Sequence, residues 1–278
     1  MNITLSGASG FIGTRLRAEL TGHNIRTVGH RTGGWDPAVL RETDAVIHLA
    51  GEPVGQRWTP AAKERIRESR VQGTRRLVEA MASIPQPPRI LICASAIGYY
   101  GARGDEVLTE TSAPGRGFLS EVCVAWEREA QAAESLGTRV VRMRTGLVLD
   151  RNGGALARML PPFRMGLGGP LGSGRQWMSW IHIQDLAALF VYALEHPLSG
   201  PVNGVAPEPV TNVEFTRALA SALHRPAVLP MPTAVLQLMF GEMSEMLLSS
   251  QRVLPRAAEA GGFTFRYPNI RQALSALL

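Results

Sequence analysis

Short apolar runs alternate with amphipathic stretches through the first half of the chain. Buried strands are predicted by the length and apolar content of "NITLSG", "NIRTVGHR", "DAVIHLAG", "RILICASAIGYYG" and "RVVRMRTGLVLD". Apolar residues at helical spacing follow in "FIGTRLRAELTGH", "TPAAKERIRESRVQGTRRLVEAMAS" and "FLSEVCVAWEREAQAAESLG". Because strands and helices alternate, we predict an α/β fold in which a doubly wound parallel sheet carries helices on both faces.

The two longest predicted helices have recognisable ends. Thr59 and Pro60 stand at the N-cap and at the first helical position of one of them, where a hydroxyl can accept a backbone hydrogen bond and a missing N–H is harmless. Gly137 follows the other helix and is a candidate C-cap, because glycine readily adopts a left-handed conformation.

The pattern loosens after Asp150. "NGGALARMLPPFRMGLGGPLGSGRQW" is rich in glycine and proline, which predicts a loop-bearing insertion, and "IHIQDLAALFVYALEHP" is helical again. From about Pro207 a smaller segment of helices and proline-rich turns runs to the last residue. We therefore predict a nucleotide-binding domain over residues 1–150, to which 176–205 return, and a smaller substrate-capping region from 151–175 and 206–278.

Composition is that of an ordinary globular enzyme. The chain has 278 residues, of which 45% are hydrophobic and 19% charged, which suits one large α/β domain or two closely joined ones. No apolar run is long enough to cross a bilayer, and "MNITLSGASG" has no signal-peptide pattern. The two cysteines form no CxxC pair. These features predict a cytoplasmic protein with no membrane partner.

The formal net charge is +6, which raises the question of a nucleic-acid partner. The positive charges are scattered, however, without a polybasic block, and Lys63 is the only lysine. This distribution indicates a basic surface rather than a phosphate-tracking stripe, so we predict no nucleic-acid partner. An anionic small ligand fits the charge.

A glycine-rich loop, "LSGASGFIG", links the first strand to the first helix. In that context Gly7 permits a tight turn, Gly10 lets a pyrophosphate approach the backbone, and Gly13 lets helix and strand pack closely. The helix N-terminus then offers N–H groups to phosphates. This is the pattern of a Rossmann-type dinucleotide site; the alternative is a tight turn without a ligand.

The end of the second strand bears on the choice of cofactor. An acid usually binds the adenosine ribose about 20 residues after the loop, but here the strand ends "TVGHR", with His30 and Arg31 in that place. Arginine attracts a 2′-phosphate that an acid would repel. We therefore predict NADP(H) over NAD(H), with a solvated Arg31 as the alternative.

Four stretches, "GASGFIG", "DAVIHLAG", "RILICASAIGYYG" and "MSWIHIQDLA", resemble the extended short-chain dehydrogenases/reductases. "SAIGYYG", "GSGRQWMSWIHIQDL" and "GEMSEMLLSSQRVLPRAAEAGGFTF" resemble an atypical branch, the "epimerase family protein" or NAD-dependent epimerase/dehydratase-like group. The resemblance implies that Ser95 lies beneath the nicotinamide and that the C-terminal segment caps a substrate cleft. With the glycine loop it implies cofactor contacts by Gly7, Ser9, Gly10, Phe11, Ile12, Gly13, His30, Arg31, Leu49, Ala50, Gly51, Glu52 and Ser95.

The chain departs from this family at its acid–base pair. Family enzymes carry Tyr-x-x-x-Lys on the helix after the Ser95 strand, but aligning on Glu127 puts Leu119 and Cys123 at those positions. No Tyr-x-x-x-Lys exists in the chain, and Arg70 stands near the place of a usual asparagine. The nucleotide-binding motif of the family is therefore present, whereas its usual acid–base pair is missing.

Four residues are candidates for the missing chemistry: Ser95, Tyr99, Tyr100 and Arg144. A tyrosine could donate a proton and the arginine could polarise a carbonyl; the alternatives are packing for the tyrosines and an ion pair at the sheet edge for Arg144. Candidate substrate-lining residues are Trp177, Trp180 and His182, with packing as the alternative for Trp180 and a structural role for His182.

Other chemistries are not indicated. The sequence has no HExxH or similar metal-ligand pair, no GxSxG elbow and no Walker loop. The resemblance also implies a homodimer through the two long helices, although both carry many charges. We predict an NADP(H)-binding oxidoreductase or epimerase that acts on a small molecule with a non-standard acid–base set. The alternative is a non-catalytic NADP(H) sensor or regulatory protein.

Overall fold

The computed structural model describes residues 1–29 and 35–278. The strands in chain order are β1 (Asn2–Ser6), β2 (Asn24–Val28), β3 (Ala45–His48), β4 (Ile90–Ala96), β5 (Val107–Leu108), β6 (Arg139–Thr145), β7 (Leu147–Asp150), β8 (Trp177–Met178), β9 (Trp180–His182), β10 (Gly200–Gly204), β11 (Val210–Thr211) and β12 (Arg252–Val253). The helices are α1 (Phe11–Glu19), α2 (Pro37–Leu40), α3 (Pro60–Ala82), α4 (Phe118–Gln131), α5 (Gly154–Arg164), α6 (Ile183–Glu195), α7 (Asn212–Leu223), α8 (Thr233–Phe240), α9 (Ser244–Leu248), α10 (Arg256–Ala260) and α11 (Ile270–Leu277).

Six parallel strands form the main sheet in the order β10-β6-β4-β3-β1-β2. Alternate residues of each strand face opposite sides: Ile90 and Ile92 of β4 pack with α1 and α6, whereas Leu91 packs with α3 and α4. Strands covered on both faces are apolar nearly throughout, as β3 is, with every residue buried. The predicted parallel sheet with helices on both faces is confirmed.

The predicted helix ends match the structure. The Thr59 hydroxyl accepts a hydrogen bond from the Ala62 N–H at 3.2 Å, and Pro60 is the first residue of α3. Helix α4 continues into a 3₁₀ turn over Ala132–Leu136, which Gly137 ends with a φ of +79°. Local capping chemistry therefore sets the limits of the two helices that cover one face of the sheet.

Two elements differ from prediction between Arg139 and the start of α6. The stretch "RVVRMRTGLVLD" is two strands, because Gly146 breaks it where the backbone passes close to Ser179: a Cβ on Gly146 would lie 2.5 Å from the Ser179 carbonyl oxygen. The predicted insertion loop begins with helix α5, despite Pro161 and Pro162 inside it. Leu156, Leu160 and Phe163 recur at helical spacing there and are buried against α7 and α11.

The C-terminal segment packs on two separate regions of the protein. Helices α7 and α11 share a core with α5, and the residues around α8 and α9 pack on α3 and the start of α4 through Trp58, Ile66 and Met243. Lys63 of α3 pairs with Glu242 in the 3₁₀ turn Gly241–Met243 and lies 5.3 Å from the Phe118 ring centroid. This contact joins α3 to the C-terminal segment. Among the described residues, no helix has the length and hydropathy needed to cross a membrane.

Candidate active site

The glycine loop between β1 and α1 forms a backbone cradle. A Cβ on Gly13 would lie 2.2 Å from the Gly7 carbonyl oxygen, and one on Gly7 would lie 2.9 Å from the Ala50 nitrogen. Gly7 also has a φ of +73°, which side chains disfavour. The close packing of α1 on β1 and of the loop on the end of β3 therefore requires glycine at both positions.

The N-terminus of α1 is open to a ligand. Gly10 is the N-cap residue and supplies no side-chain cap, and the first turn contains no acidic residue. Among described residues, the first helical hydrogen bond runs from the Thr14 N–H to the Gly10 carbonyl oxygen. The Gly10 N–H donates to the Gly7 carbonyl oxygen at 3.0 Å, but the N–H groups of the first three helical residues, Phe11 to Gly13, are left for another acceptor, and the helix dipole favours an anion there. These features fit the phosphates of a dinucleotide.

Apart from Ser95, the other predicted cofactor residues that the structure describes belong to the first loop, to the start of α1 or to the segment after β3. Ser9 and Gly10 are exposed, and Ile12 and Leu49 are partly buried against the core. The Glu52 carboxylate accepts a hydrogen bond from Gln56 at 3.0 Å and lies near Arg65. His30 and Arg31 lie outside the described residues. Phe11 packs beneath the start of α5, since a Cβ on Gly153 would lie 2.5 Å from its ring.

Ser95 is the penultimate residue of β4 and lies at the edge of the parallel sheet where ligands bind in such folds. Its hydroxyl donates a hydrogen bond to Oε1 of Glu127 on α4 at 2.7 Å. Glu127 forms two further bonds, both of 2.8 Å, with Nε and Nη2 of Arg144 on β6. The Ser95 proton is thus held by a carboxylate, and the oxygen can offer only lone pairs to a ligand.

Arg144 extends this network to both tyrosines. Its Nη1 donates to the Tyr100 hydroxyl at 3.0 Å, and that hydroxyl donates to Oδ1 of Asn203 at 2.7 Å. Burial raises the pKa of Tyr100 to about 12. Burial also disfavours the charge on Arg144, but its bonds to Glu127 outweigh this and raise the pKa of Arg144. Ser95, Glu127, Arg144, Tyr100 and Asn203 are each at most 4% exposed.

Tyr99 differs from its neighbour. Its ring lies over the Arg144 guanidinium, with Cζ 3.5 Å from the ring centroid, but the side chain is only partly buried. Its hydroxyl has no hydrogen-bond partner in the part of the chain that the structure describes. Of the two predicted tyrosines, Tyr99 has a free phenol, whereas Tyr100 is enclosed and fully paired.

Positions 119 and 123 of α4 hold no acid–base pair. A Cβ on Gly98, just after β4, would lie 3.2 Å from Cβ of Leu119 and 3.8 Å from Sγ of Cys123, so both residues face the end of β4. Burial raises the pKa of Cys123 to about 12. A thiol in this state stays protonated near neutral pH and is a poor nucleophile or proton donor.

A family model covers most of the structure just described. The model of the NAD dependent epimerase/dehydratase family matches residues 3–206, from the first strand to the end of the main sheet. The chain belongs to this family. A second model, a domain of unknown function (DUF1731), matches residues 231–277, which include α8 and α11. The family predicted from the sequence motifs is confirmed.

Relatives of the same family match along the whole chain. An epimerase family protein of Mycobacterium bovis is 42% identical over 290 residues, which cover 98% of this chain and 96% of the relative. A chloroplastic epimerase family protein of Arabidopsis thaliana is 39% identical over 303 residues, covering 100% of this chain and 87% of the relative. Because that relative is chloroplastic, the cytoplasmic location expected here stays a prediction.

A solved structure shares the fold. The crystal structure of human epimerase family protein SDR39U1 (isoform 2) with NADPH has a TM-score of 0.91 at 37% identity, and the match covers 100% of this chain and 99% of that one. The Rossmann-type fold predicted for the chain is confirmed. The NADPH in that structure agrees with the dinucleotide-like geometry of the glycine cradle.

The three predicted substrate-lining residues, Trp177, Trp180 and His182, each form defined contacts with other side chains or backbone groups. Trp180 has no exposed surface, and its indole N–H donates to the Glu208 carbonyl oxygen at 3.0 Å. Trp177 is partly buried; its indole N–H donates to Asp105 at 2.9 Å, and Arg252 lies over its ring. Trp180 is therefore a core residue in this structure, and Trp177 belongs to a surface cluster.

His182 has a helix-capping role. Its Nδ1 accepts a hydrogen bond from the Gln184 N–H at 3.1 Å, and its ring stacks on Tyr267 at a centroid distance of 3.9 Å. Burial, reinforced by Arg15 and Arg266 and opposed by Asp150, lowers the pKa of His182 to about 4. The neutral ring caps α6 through Nδ1, so the structure gives this histidine a clear local function.

We expect His182→Asn to flatten the acid dependence of stability. In the unfolded chain a histidine takes up a proton near pH 6.5, whereas the native ring stays neutral down to about pH 4. Stability contributed by His182 at pH 7 is therefore lost as the pH falls through this window, by on the order of 1 kcal/mol at pH 5. Asparagine keeps a capping acceptor without the titration. Urea unfolding at pH 7 and pH 5 measures the loss of unfolding free energy between the two pH values. An equal loss in the wild-type protein and in His182→Asn would contradict the prediction.

Sequence reasoning missed two members of the buried network. In the sequence, Glu127 is only an alignment point for the helix after β4, and no pattern marks Asn203. The one available signal was Glu127 itself, an acid within the apolar stretch "VCVAWE" at an inward helical position. Its partner Arg144 could be identified only once Ser95 and Arg144 were known to lie side by side on β4 and β6.

Proposed function

We propose that this protein binds NADP(H) and acts as an oxidoreductase or epimerase on a small molecule, with an acid–base set that lacks Tyr-x-x-x-Lys. Binding is supported by the glycine cradle and by the open N-terminus of α1. Catalysis is supported by one observation above all: a buried charged network, Glu127 with Arg144, reaches Ser95 at the carboxyl edge of the sheet.

That network is costly to build. Burying a carboxylate and a guanidinium costs several kcal/mol per ion before their attraction is counted, and apolar residues of similar size often stabilise a core as well or better. Such arrangements are frequent at functional sites, where they hold polar groups in fixed positions. The position of this one beside Ser95 therefore favours a role in ligand chemistry over simple core packing.

The residues of this site take distinct roles in the proposal. When bound, the nicotinamide supplies or accepts a hydride. Glu127 fixes the Ser95 hydroxyl so that its oxygen accepts a hydrogen bond from a ligand. Tyr99 carries the free phenol that can exchange a proton with a substrate oxygen, and Arg144 holds its ring. Tyr100 positions Arg144 from the interior.

The choice of NADP(H) rests on residue types at the end of β2. No acid stands there to bind a ribose 2′-hydroxyl, and Arg31 carries a guanidinium suited to a 2′-phosphate. The NADPH in the human relative's structure agrees with this preference.

We expect Arg31→Asp to weaken NADP(H) binding far more than NAD(H) binding, because aspartate repels a 2′-phosphate and accepts a hydrogen bond from a 2′-hydroxyl. Titration calorimetry with NADPH and NADH on both proteins measures the change in preference. Equal losses for the two nucleotides would refute the assignment of Arg31 to the 2′-phosphate.

The catalytic part of the proposal is tested with NADPH deuterated at C4. The purified protein is incubated with the labelled nucleotide and a small-molecule cell extract, and the deuterium is followed by mass spectrometry. We expect deuterium to appear in a metabolite, and Tyr99→Phe to abolish this transfer. Tyr192→Phe is the control: it removes a hydroxyl that donates to the Gly261 carbonyl oxygen, outside the Glu127–Arg144 network, and keeps the Tyr99 phenol.

A second candidate function is a non-catalytic NADP(H) sensor or regulatory protein. The observation that favours it is the absence of a proton-exchanging side chain at positions 119 and 123, where Leu119 and a protonated Cys123 stand. This candidate predicts tight NADPH binding with the C4 deuterium fully retained. The same labelling experiment therefore separates the two functions.

A further inference from the structure

The turn that carries Tyr99 is held by a side chain from the C-terminal segment. This 3₁₀ turn follows β4 over Ile97–Tyr100, and Gly101 ends it with a φ of +62°. The side-chain amide of Gln251 donates one hydrogen bond to the Ile97 carbonyl oxygen at 2.9 Å and another to the Gly101 carbonyl oxygen at 3.0 Å. A single amide therefore bridges the turn, bonded two residues before Tyr99 and two residues after it.

The backbone of Gln251 is itself fixed to the segment around β8 and β9. Its N–H donates to the Trp177 carbonyl oxygen at 3.1 Å, and its carbonyl oxygen accepts from the Ser179 hydroxyl at 2.8 Å. The hydroxyl of the preceding residue, Ser250, donates to the Gly104 carbonyl oxygen at 2.7 Å. Because both backbone groups of Gln251 are bonded, its side chain extends from a fixed position, and little conformational entropy opposes its two bonds to the turn.

Helix α4 holds the opposite side of the same turn. The Tyr99 carbonyl oxygen accepts hydrogen bonds from the Ser120 hydroxyl at 2.8 Å and from the Gly115 N–H at 2.9 Å. Among the described residues, the Tyr99 hydroxyl has no hydrogen-bond partner, and the ring rests on Arg144. The direction of the phenol is therefore set by this ring contact and by the backbone of the turn, which Gln251 and α4 hold from two sides.

We propose that Gln251 is the positioning residue for the Tyr99 phenol, and that the C-terminal segment thereby takes part in the reaction at the edge of the sheet. This inference rests on the proposed function, in which Tyr99 exchanges a proton with a substrate oxygen. A displacement of about 1 Å at a reacting group can lower a rate about a hundredfold. Gln251 belongs to residues 231–277, the part matched by the domain of unknown function. The contact gives that domain a role at the site in addition to packing.

Gln251→Met tests the two hydrogen bonds, because methionine keeps the approximate length and volume of the side chain and lacks both N–H donors. Deuterium transfer from C4-labelled NADPH into the cell extract is expected to fall about tenfold to a hundredfold. Calorimetry should find the Kd of NADPH within about twofold of the wild-type value. Gln251→Lys supplies N–H donors again and should recover part of the transfer.

A spectroscopic measurement reports on the tyrosines directly. The chain has four tyrosines, so protein labelled with carbon-13 at tyrosine Cζ gives four signals, which single substitutions to phenylalanine assign. We expect Gln251→Met to shift the signals of Tyr99 and Tyr100. Those of Tyr192 and Tyr267, whose hydroxyls bond elsewhere in the fold, should stay in place. A loss of stability that leaves the turn undisplaced would shift none of the four signals.

Gln176→Met is the matched control. The Gln176 amide also donates to two carbonyl oxygens, those of Leu171 at 3.0 Å and Leu247 at 3.4 Å, but neither carbonyl belongs to the turn that carries Tyr99. We expect this variant to lose unfolding free energy as Gln251→Met does, and to leave both the Tyr99 signal and the deuterium transfer unchanged.

Urea unfolding establishes that each variant is folded. If Gln251→Met does not fold, Gln251→Asn, whose amide is one methylene too short to reach the turn, is tested with the same two measurements. An unshifted Tyr99 signal, a shifted signal with unchanged transfer, or an equal response in Gln176→Met would overturn the role of Gln251 alone. A wild-type protein that transfers no deuterium would overturn the proposed catalytic function, whereas the Tyr99 signal would still decide whether Gln251 holds the turn.

Discussion

Gly10→Val is expected to abolish binding of both NADPH and NADH while leaving the protein folded. Gly10 has a φ of −75° and a ψ of 173°, an extended conformation that valine adopts without strain. Its added Cβ would lie 3.1 Å from the Gly7 carbonyl oxygen, a tight contact that a small shift relieves. The side chain would stand at the mouth of α1, where the pyrophosphate must approach the backbone. Calorimetry with both nucleotides measures the loss of binding, and thermal unfolding shows whether the variant is folded.

Gly13→Ala provides the contrast. Its Cβ would lie 2.2 Å from the Gly7 carbonyl oxygen and 2.9 Å from Ala8 Cα, so helix α1 must move away from β1. We expect this smaller substitution to destabilise the fold by about 1–3 kcal/mol or more, as overpacking does. If Gly10→Val is folded and still binds NADPH, the nucleotide site lies somewhere other than the glycine cradle.

Glu127→Gln is expected to lower the free energy of unfolding by about 3–5 kcal/mol, the usual effect of removing one member of a buried ion pair. The amide has the shape of the carboxylate, so no cavity forms, but Arg144 keeps its charge inside the protein with only neutral acceptors. Arg142, whose Nη1 lies 3.8 Å from Oε2 of Glu127, loses the same counter-charge. Urea unfolding at neutral pH measures the change.

Glu129→Gln is the matched control, because it lies two residues away on the same helix. Glu129 also forms a two-point pair with an arginine, Arg75, at 3.0 and 2.7 Å, but that arginine is exposed. Pairs at the surface contribute little, so we expect a much smaller loss. If Glu127→Gln lost no more unfolding free energy than Glu129→Gln, the view that Arg144 depends on the buried Glu127 carboxylate as its counter-charge would be contradicted.

The elements of the sheet domain could be predicted because their signals are local. A run such as "DAVIHLAG" is apolar because both faces of its strand are covered, and Thr59 followed by Pro60 marks a helix start whatever the surroundings. The glycine spacing in the first loop predicts close packing of α1 on the end of β1, and Gly7 and Gly13 are in close contact there.

The features that could not be predicted depend on residues far apart in the chain. The break at Gly146 arises from the close passage of Ser179, and α5 is held by a core shared with α7 and α11, which outweighs two internal prolines. Glu127 and Arg144 are on different elements, so their pairing follows from strand order rather than from spacing. The sequence could not show that Trp180 is a core residue, because the residues around a buried tryptophan and those around a pocket-lining tryptophan follow similar patterns.

The pairing of Lys63 with Glu242 allows the contact between α3 and the C-terminal segment to be followed by limited proteolysis. Because the chain has one lysine, a lysine-specific endoproteinase has a single cleavage site, within the first turn of α3. Cleavage requires that turn to unwind and the Glu242 contact to separate. The rate at which two fragments appear on a gel would therefore report how often the first turn of α3 and its contact with Glu242 open, and its slowing by a candidate metabolite would identify molecules that stabilise this contact.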